Sequence, residues 1–177
     1  KKDIRNKYKK FMKDYNDVFG LDLNLDAIYN LEKKLAEYTY TRVEKRDPHK
    51  LNNPSTYEEV ENKYKVPVNL LFKYLKKFDI KPGKINLSNP NFLNEMTQLW
   101  NQLDINIWKD YYVWRFITGI SGYLNEQATN VKFDFYGKVL SGTLELLPRW
   151  KRVIDNCDSQ LGVVVGKMFV KKYFPET

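Results

Sequence analysis

Apolar side chains recur every three or four residues along most of this chain, and this spacing constrains its fold more than any other feature. The first stretch shows the spacing at Ile4, Tyr8, Phe11, Tyr15 and Val18. Residues spaced in this way share one face of an α-helix, so the pattern predicts an amphipathic helix with one buried face. Only 8 glycines and 7 prolines interrupt the 177 residues, which favours long helices over the many turns of an all-β domain. The predicted fold class is all-α.

Capping signals divide the pattern into separate helices. Thr56 and Glu59 have the spacing of a capping box, and Asn89-Pro90 and Asp104 are typical helix starts. The predicted helices cover about residues 1–19, 24–46, 57–64, 69–78, 90–101, 104–125, 134–141 and 149–173. The helix over residues 104–125 is apolar on nearly all sides, which predicts a central position in the fold. One very short strand is possible near Ile85-Leu87.

Catalytic and metal-binding residue types are scarce. His49 and Cys157 are the only histidine and cysteine. A structural zinc site needs four such ligands, and a zinc peptidase helix needs two histidines four residues apart. Every Ser-His-Asp or Cys-His pair would depend on His49, which follows Asp-Pro in a predicted exposed loop. We therefore expect no catalytic residue, metal ligand or cofactor in this chain, and we expect Cys157 to be a small buried apolar residue.

Nucleic-acid binding is the main rival function that the sequence suggests. The chain carries 30 Lys and Arg against 22 Asp and Glu, a net charge of +8. Residues 57–78 could form a helix-turn-helix with its turn at Lys65-Val66-Pro67, which would carry Lys73, Lys76 and Lys77 toward a phosphate backbone. However, the second helix opens with the apolar run at 68–72, where polar residues should contact bases. We predict no nucleic-acid partner.

Several residues are expected to anchor the packing of the helices. Arg115 lies in an apolar segment and Arg149 lies between Pro148 and Trp150. A guanidinium among aromatic rings is usually buried with a partner or stacked on a ring, although it can also bind a substrate carboxylate. Two glycines four residues apart on one helix face would let another helix approach closely. The predicted structural anchors are Trp114, Arg115, Arg149, Trp150, Gly162 and Gly166.

Four segments carry more specific information about the family of this chain than its composition does. In order along the chain they are Leu31–Glu37 leading into Glu44–Pro48 and Asn53-Pro54, then Tyr112–Phe116, then Pro148–Arg152, and last Leu161-Gly162 with Val165–Val170 and Tyr173–Pro175. In this order and spacing the series resembles the N-terminal region of the neprilysin/endothelin-converting-enzyme family of zinc endopeptidases, above all its bacterial oligopeptidases. The resemblance covers nearly the whole chain.

The resemblance implies two largely helical lobes around a closed chamber. Residues 1–177 would form part of the N-terminal, non-catalytic lobe, which covers the chamber and limits entry to short peptides. Zinc would belong to the parent enzyme, on a His-Glu-x-x-His helix in a catalytic lobe that follows Thr177, so no catalytic or metal residue is carried over to this chain. The implied partners are that catalytic lobe of the same polypeptide and peptide substrates.

Two departures from the family pattern affect these expectations. Asn52-Asn53 stands where the family often has Tyr-Asn, which leaves the packing of this loop open. The paired cysteines of extracellular animal members are absent, as in a bacterial enzyme without disulfides. A cytoplasmic location is favoured over a cell-surface or secreted one.

The chain begins with Lys1 rather than Met, so we expect its true N-terminus to be missing. The longest apolar run, near Leu161–Val165, is too short to span a membrane. A stand-alone helical interaction module remains the alternative to a piece of a peptidase.

Overall fold

Helices make up most of the computed structural model, which describes residues 2–64, 68–78 and 83–174. The α-helices are α1 Lys2–Val18, α2 Leu25–Glu37, α3 Pro48–Leu51, α4 Tyr57–Tyr64, α5 Val68–Lys76, α6 Pro90–Gln102, α7 Ile105–Gly119, α8 Glu126–Lys132 and α9 Arg149–Tyr173. Two short 3-10 helices, Glu44–Arg46 and Ser121–Tyr123, and a π-helix, Phe133–Leu140, complete the helical structure. The all-α prediction is confirmed.

The chain divides into two compact units. Unit 1 consists of Lys1–Tyr15 and Ser121–Thr177, and unit 2 consists of Asn16–Ile120.

Side-chain caps start the helices where the sequence indicated. The Asn89 side chain accepts a hydrogen bond from the Phe92 amide at 2.9 Å. Thr56 and Glu59 form a reciprocal capping box, in which the Thr56 amide donates to the Glu59 carboxylate at 2.7 Å and the Glu59 amide donates to the Thr56 hydroxyl at 3.2 Å. Asp104 accepts from the Asn106 amide at 2.7 Å. These bonds satisfy backbone amides that have no partner inside the helix.

Two long helices end earlier than predicted. The helix expected over residues 24–46 stops at Glu37, and Thr41 and Glu44 form a second reciprocal pair next to the 3-10 helix Glu44–Arg46. Similarly, α7 ends at Gly119 rather than near Asn125. Asn125 instead caps α8, a helix that the sequence reasoning missed.

The predicted short strand exists, and its partner lies in a segment predicted as a loop. Strand β1, Pro54–Ser55, pairs antiparallel with β2, Ile85–Asn86, so that Ser55 lies opposite Ile85. Each strand has two residues, and their pairing joins two loops.

The described residues of unit 2 include two apolar cores. In the first, Leu31 of α2, Leu99 of α6 and Trp108 of α7 are buried together. The ring of Trp100 lies 5.0 Å from that of Trp108. The second core is built on Val60 and Tyr64 of α4; the half-buried side chains of Tyr57, Leu75, Ile85, Leu87 and Leu93 pack against it. Burial of such large rings supplies much of the driving force for folding.

The core of unit 1 is aromatic. Phe11, Met12 and Tyr15 of α1 and Phe135 of the π-helix are buried. The Phe11 and Phe135 rings are stacked with centroids 5.4 Å apart, and Tyr136 meets Phe11 edge-on at 5.4 Å. Of the helical stripe predicted for the first residues, Phe11 and Tyr15 are buried, Tyr8 and Val18 are half-buried, and Ile4 is exposed. Burial raises the pKa of the Tyr15 hydroxyl.

Candidate functional site

The residues with catalytic potential are dispersed over the surface. His49 is exposed in α3 of unit 2, and Cys157 is exposed in α9 of unit 1. Across residues 2–64, 68–78 and 83–174, no three histidine, cysteine, aspartate or glutamate side chains form a group that could hold a metal ion. The prediction that Cys157 is buried is wrong, because the helix that carries it is exposed along its whole length.

The acidic cluster near residue 59 serves its own helix. The Glu59 carboxylate accepts from the Thr56 amide, and Glu61 accepts from the Tyr57 hydroxyl at 3.3 Å. Acidic side chains in the first turn of a helix are favoured by the helix dipole. These carboxylates therefore have a structural role.

Helix α9 presents an apolar surface that no other described element covers. All 25 of its residues belong to the described chain, and none of them is buried. After the non-helical backbone at Leu161, apolar and glycine residues recur at the spacing of one helix face. This face, called the Gly162 face below, consists of Gly162, Val165, Gly166, Phe169, Val170 and Tyr173.

The Gly162 face is shaped to receive another helix. Phe169 is 54% exposed and Tyr173 is 58% exposed. The centroids of their two rings lie 4.8 Å apart. A Cβ atom on Gly162 or Gly166 would have no atom within 4 Å in the described residues. A contiguous apolar face of this kind marks an interaction surface. Small residues in its centre allow a second backbone to come close.

The predicted anchors at the start of α9 are also on the surface. Arg149 is exposed, and Trp150 is 61% exposed with the Lys151 ammonium 5.4 Å from its ring. A different side chain, that of Arg152, forms a hydrogen bond at this end of the helix. Arg152 donates through Nε to the Leu147 carbonyl at 3.0 Å.

The two remaining anchors both lie on α7 and differ in burial. Trp114 is 1% exposed, and its anchoring role stays a prediction. Arg115 is exposed and forms no ion pair within the part of the chain that the structure describes, so the expectation of a buried guanidinium is wrong. The prediction that α7 is central is also wrong, because Tyr112, Val113 and Phe116 on the same helix are exposed. An all-round apolar helix here has one buried face and one face open for another partner.

The helix pair α4 and α5 is built as a packing unit. Val60 and Tyr64 of α4 and Leu75 of α5 belong to one core of unit 2. The Lys76 ammonium lies 5.3 Å from the Tyr57 ring, and its hydrogen bond with Tyr57 raises the pKa of the lysine. The turn at Lys65-Val66-Pro67 and the side chains of residues 68–70 and 72 lie outside the described residues. The absence of a nucleic-acid partner stays a prediction.

The model of peptidase family M13 matches residues 1–177. This chain belongs to peptidase family M13. The M13 chain is 26% identical to bovine endothelin-converting enzyme 1 over 159 residues, which is 86% of this chain and 21% of that enzyme. It is 23% identical to neprilysin-11 of Caenorhabditis elegans over 163 residues, covering 89% of this chain and 19% of that protein. The chain thus spans about a fifth of the length of these curated relatives.

Solved structures show the same fold. The zinc metalloprotease Zmp1 of Mycobacterium tuberculosis in its open state superposes on 97% of the M13 chain, and on 28% of its own, with a TM-score of 0.89 and 23% identity. The inhibitor complex of the same protein covers 85% of the M13 chain and 23% of its own, with a TM-score of 0.75 and 26% identity. The resemblance to the neprilysin/endothelin-converting-enzyme family is confirmed.

The residues of this M13 chain do not fit a zinc site. Zinc in peptidases is held by three protein ligands, usually including two histidines on one helix. His49 is the single histidine of the 177 residues, and the described carboxylates do not gather around it. No catalytic step is therefore assigned to these residues.

Proposed function

We propose that this chain is the N-terminal, non-catalytic region of a zinc metalloendopeptidase that cleaves short peptides. The match of peptidase family M13 to residues 1–177 carries the proposal, and the fold shared with the open state of Zmp1 supports it. Zinc and the residues that activate water would be held elsewhere in the polypeptide. This region would cover the active-site chamber and restrict the size of the substrates that enter it.

The exposed Gly162 face would pack against the rest of the same polypeptide, including the catalytic lobe. An apolar helix face of this length is unfavourable in water, and burying it would stabilise the assembled enzyme. The exposed side of α7 with Tyr112, Val113 and Phe116 would be covered in the same way. Loss of these contacts should affect the stability of the whole enzyme before it affects any chemical step.

Peptide hydrolysis by the full-length protein tests the enzymatic part of the proposal. We expect a quenched fluorescent peptide to be cleaved, a chelator to abolish the cleavage and added zinc to restore it. A length series of peptides with an unfolded protein as its longest member tests the size limit, since only the short members should be cleaved. An inactive full-length protein, or one that digests long and short substrates equally, would overturn the corresponding part of the proposal.

Alanine at Gly166 tests whether α9 is covered. In the isolated chain this substitution should raise the free energy of unfolding by about 0.5–1 kcal/mol, because alanine favours a helix over glycine and the added methyl group enters open space. In the full-length protein a closely packed helix would turn that gain into a loss of about 1–3 kcal/mol. Lys171→Ala is the matched control, since it should change both forms little. Stabilisation of both forms by Gly166→Ala would show that nothing packs on this face.

The alternative of a stand-alone helical interaction module remains testable by gel filtration. The isolated chain should self-associate or bind apolar resins if α9 is normally covered, whereas a clean monomer favours the module. A nucleic-acid binder would instead be retained on heparin with a steep dependence on salt.

We also propose a bacterial, cytoplasmic location. Support comes from the single cysteine of the chain, which forms no disulfide within it. None of the described helices is long and apolar enough to span a bilayer. Cell fractionation with an antibody to the full-length protein tests the location, and recovery in the secreted fraction would contradict it.

A further inference from the structure

A cavity of about 500 Å³ opens in unit 2, where the segments after α2 and α3 meet the start of α6. Tyr40, Leu51 and Phe92 supply its apolar lining, and Thr39, Lys45 and Ser88 supply polar groups. Small-molecule sites are typically cavities of this size with a mainly apolar lining and few polar groups. The lining includes Lys45 of the Glu44–Pro48 segment, to which the proposed peptidase function assigns no role.

Asparagine side chains hold the walls of the cavity together. Asn53 donates through Nδ2 to the carbonyls of Lys50 at 2.7 Å and Leu87 at 2.9 Å. Asn86 donates to the Leu51 carbonyl at 3.0 Å and accepts from the Asn53 amide at 2.7 Å. These bonds connect two loops about 35 residues apart in sequence, so the cavity is formed before any ligand arrives.

A third asparagine fixes the α6 side of the cavity. Asn89 donates through Nδ2 to the Tyr38 carbonyl at 3.2 Å, while its Oδ1 accepts from the Phe92 amide. The apolar ring of Phe92 and the polar residue that caps its helix are therefore held in one arrangement.

Lys45 is the cation of the cavity lining, and its charge is not neutralised within the described residues. The two acidic residues nearest to it in sequence already accept hydrogen bonds from other groups. Glu44 accepts from the Lys50 ammonium at 2.9 Å, and Asp47 accepts from the His49 amide at 2.9 Å at the start of α3. Lys45 is thus available to an anionic group that enters the cavity.

We propose that this cavity binds a small organic acid, with its carboxylate at Lys45 and Ser88 and its apolar group among Tyr40, Leu51 and Phe92. A single lysine charge matches a monoanion, whereas a phosphate carries close to two charges and usually meets several cations. The three apolar side chains require an attached hydrocarbon or aromatic group. The proposal rests on residues of unit 2 alone and does not depend on the proposed peptidase function.

Ligand-observed NMR titration of the full-length protein tests the proposal with defined probes. N-acetyl-phenylalanine represents the carboxyl end of a peptide, and octanoate represents a fatty acid. Binding of either acid supports the site and identifies its source. N-acetyl-phenylalanine amide lacks only the charge, so its affinity should be roughly tenfold lower. Failure of both acids to bind, or equal affinity for the acid and its amide, would overturn the proposal.

Substitutions locate the binding. Lys45→Gln should weaken binding of the acid roughly tenfold, and Lys45→Arg should retain it because the charge remains. Both changes are on an exposed residue and should leave the fold intact. Lys33→Gln is the matched control, since Lys33 pairs with Glu37 on the surface of α2 and lines no part of the cavity. Equal losses from Lys45→Gln and Lys33→Gln would show that the acid binds through general surface charge, and the proposal would fail.

Discussion

The π-helix in unit 1 depends on a glycine, and replacing that glycine by alanine should destabilise the chain. The Phe133 ring lies across Gly137, so that an added Cβ would overlap the edge of the ring and stand 3.1 Å from its Cγ. Alanine would normally gain about 0.5–1 kcal/mol over glycine in a helix. Forcing a methyl group into an occupied space costs about 1–3 kcal/mol. We expect Gly137→Ala to lower the free energy of unfolding by about 1–2 kcal/mol.

Urea denaturation followed by circular dichroism measures this loss, and two further variants explain its cause. Gly166→Ala, whose methyl group meets no described atom, should shift the isolated chain in the opposite, stabilising direction. Phe133→Leu combined with Gly137→Ala should recover part of the loss, because the two side chains compete for one space. The reasoning would be refuted if Gly137→Ala and Gly166→Ala stabilised the chain equally.

Further predictions concern one buried ring, one carboxylate and one thiol. Trp114→Ala should lower the free energy of unfolding by about 3–5 kcal/mol, since the ring is 1% exposed, whereas Phe116→Ala on the exposed side of α7 should cost less than about 1 kcal/mol; equal costs in urea denaturation would argue against this division of α7. The Lys50 ammonium and the Thr41 backbone and hydroxyl lower the pKa of Glu44 from 4.5 to about 2. The stabilisation from this pair is therefore present above pH 4.5 and is lost as the pH falls toward 2. NMR titration should find the Glu44 carboxyl at this low pKa and, in Lys50→Gln, nearer to 4.5; an unchanged value would contradict the assigned cause. Cys157 should react fully with a thiol reagent in the isolated native chain, and a protected thiol would show that α9 has a covering element there.

Local signals allowed many helix boundaries to be predicted. Asn89, Asp104 and the Thr56–Glu59 pair lie at the starts of helices in the structure because their side chains can accept from free backbone amides within the same turn. The bounds of α9, Arg149–Tyr173, also agree with the sequence pattern. The same kind of signal at Thr41 and Glu44 was present in the sequence, and its recognition would have shown where the second predicted helix ends.

Burial was harder to predict than helicity. The apolar character of α7 suggested burial on all sides, and the position of Cys157 as an isolated cysteine in a helical pattern suggested a core position. An apolar helix face can be buried in a core or can pack against another segment. The composition of the face does not distinguish these two cases. The predicted anchors Arg149, Trp150, Gly162 and Gly166 are all exposed.

The sequence by itself determined the all-α class, most helix starts, the lack of a zinc ligand set and the family, because these depend on residue types and on spacings of a few residues. Tertiary structure alone decided which apolar faces are buried in each unit and that Asn53, Asn86 and Asn89 join distant loops. It also decided that these loops border a cavity whose lysine has no ion pair among the described residues. These features arise from contacts between residues tens of positions apart. Local periodicity carries no information about which distant segments meet.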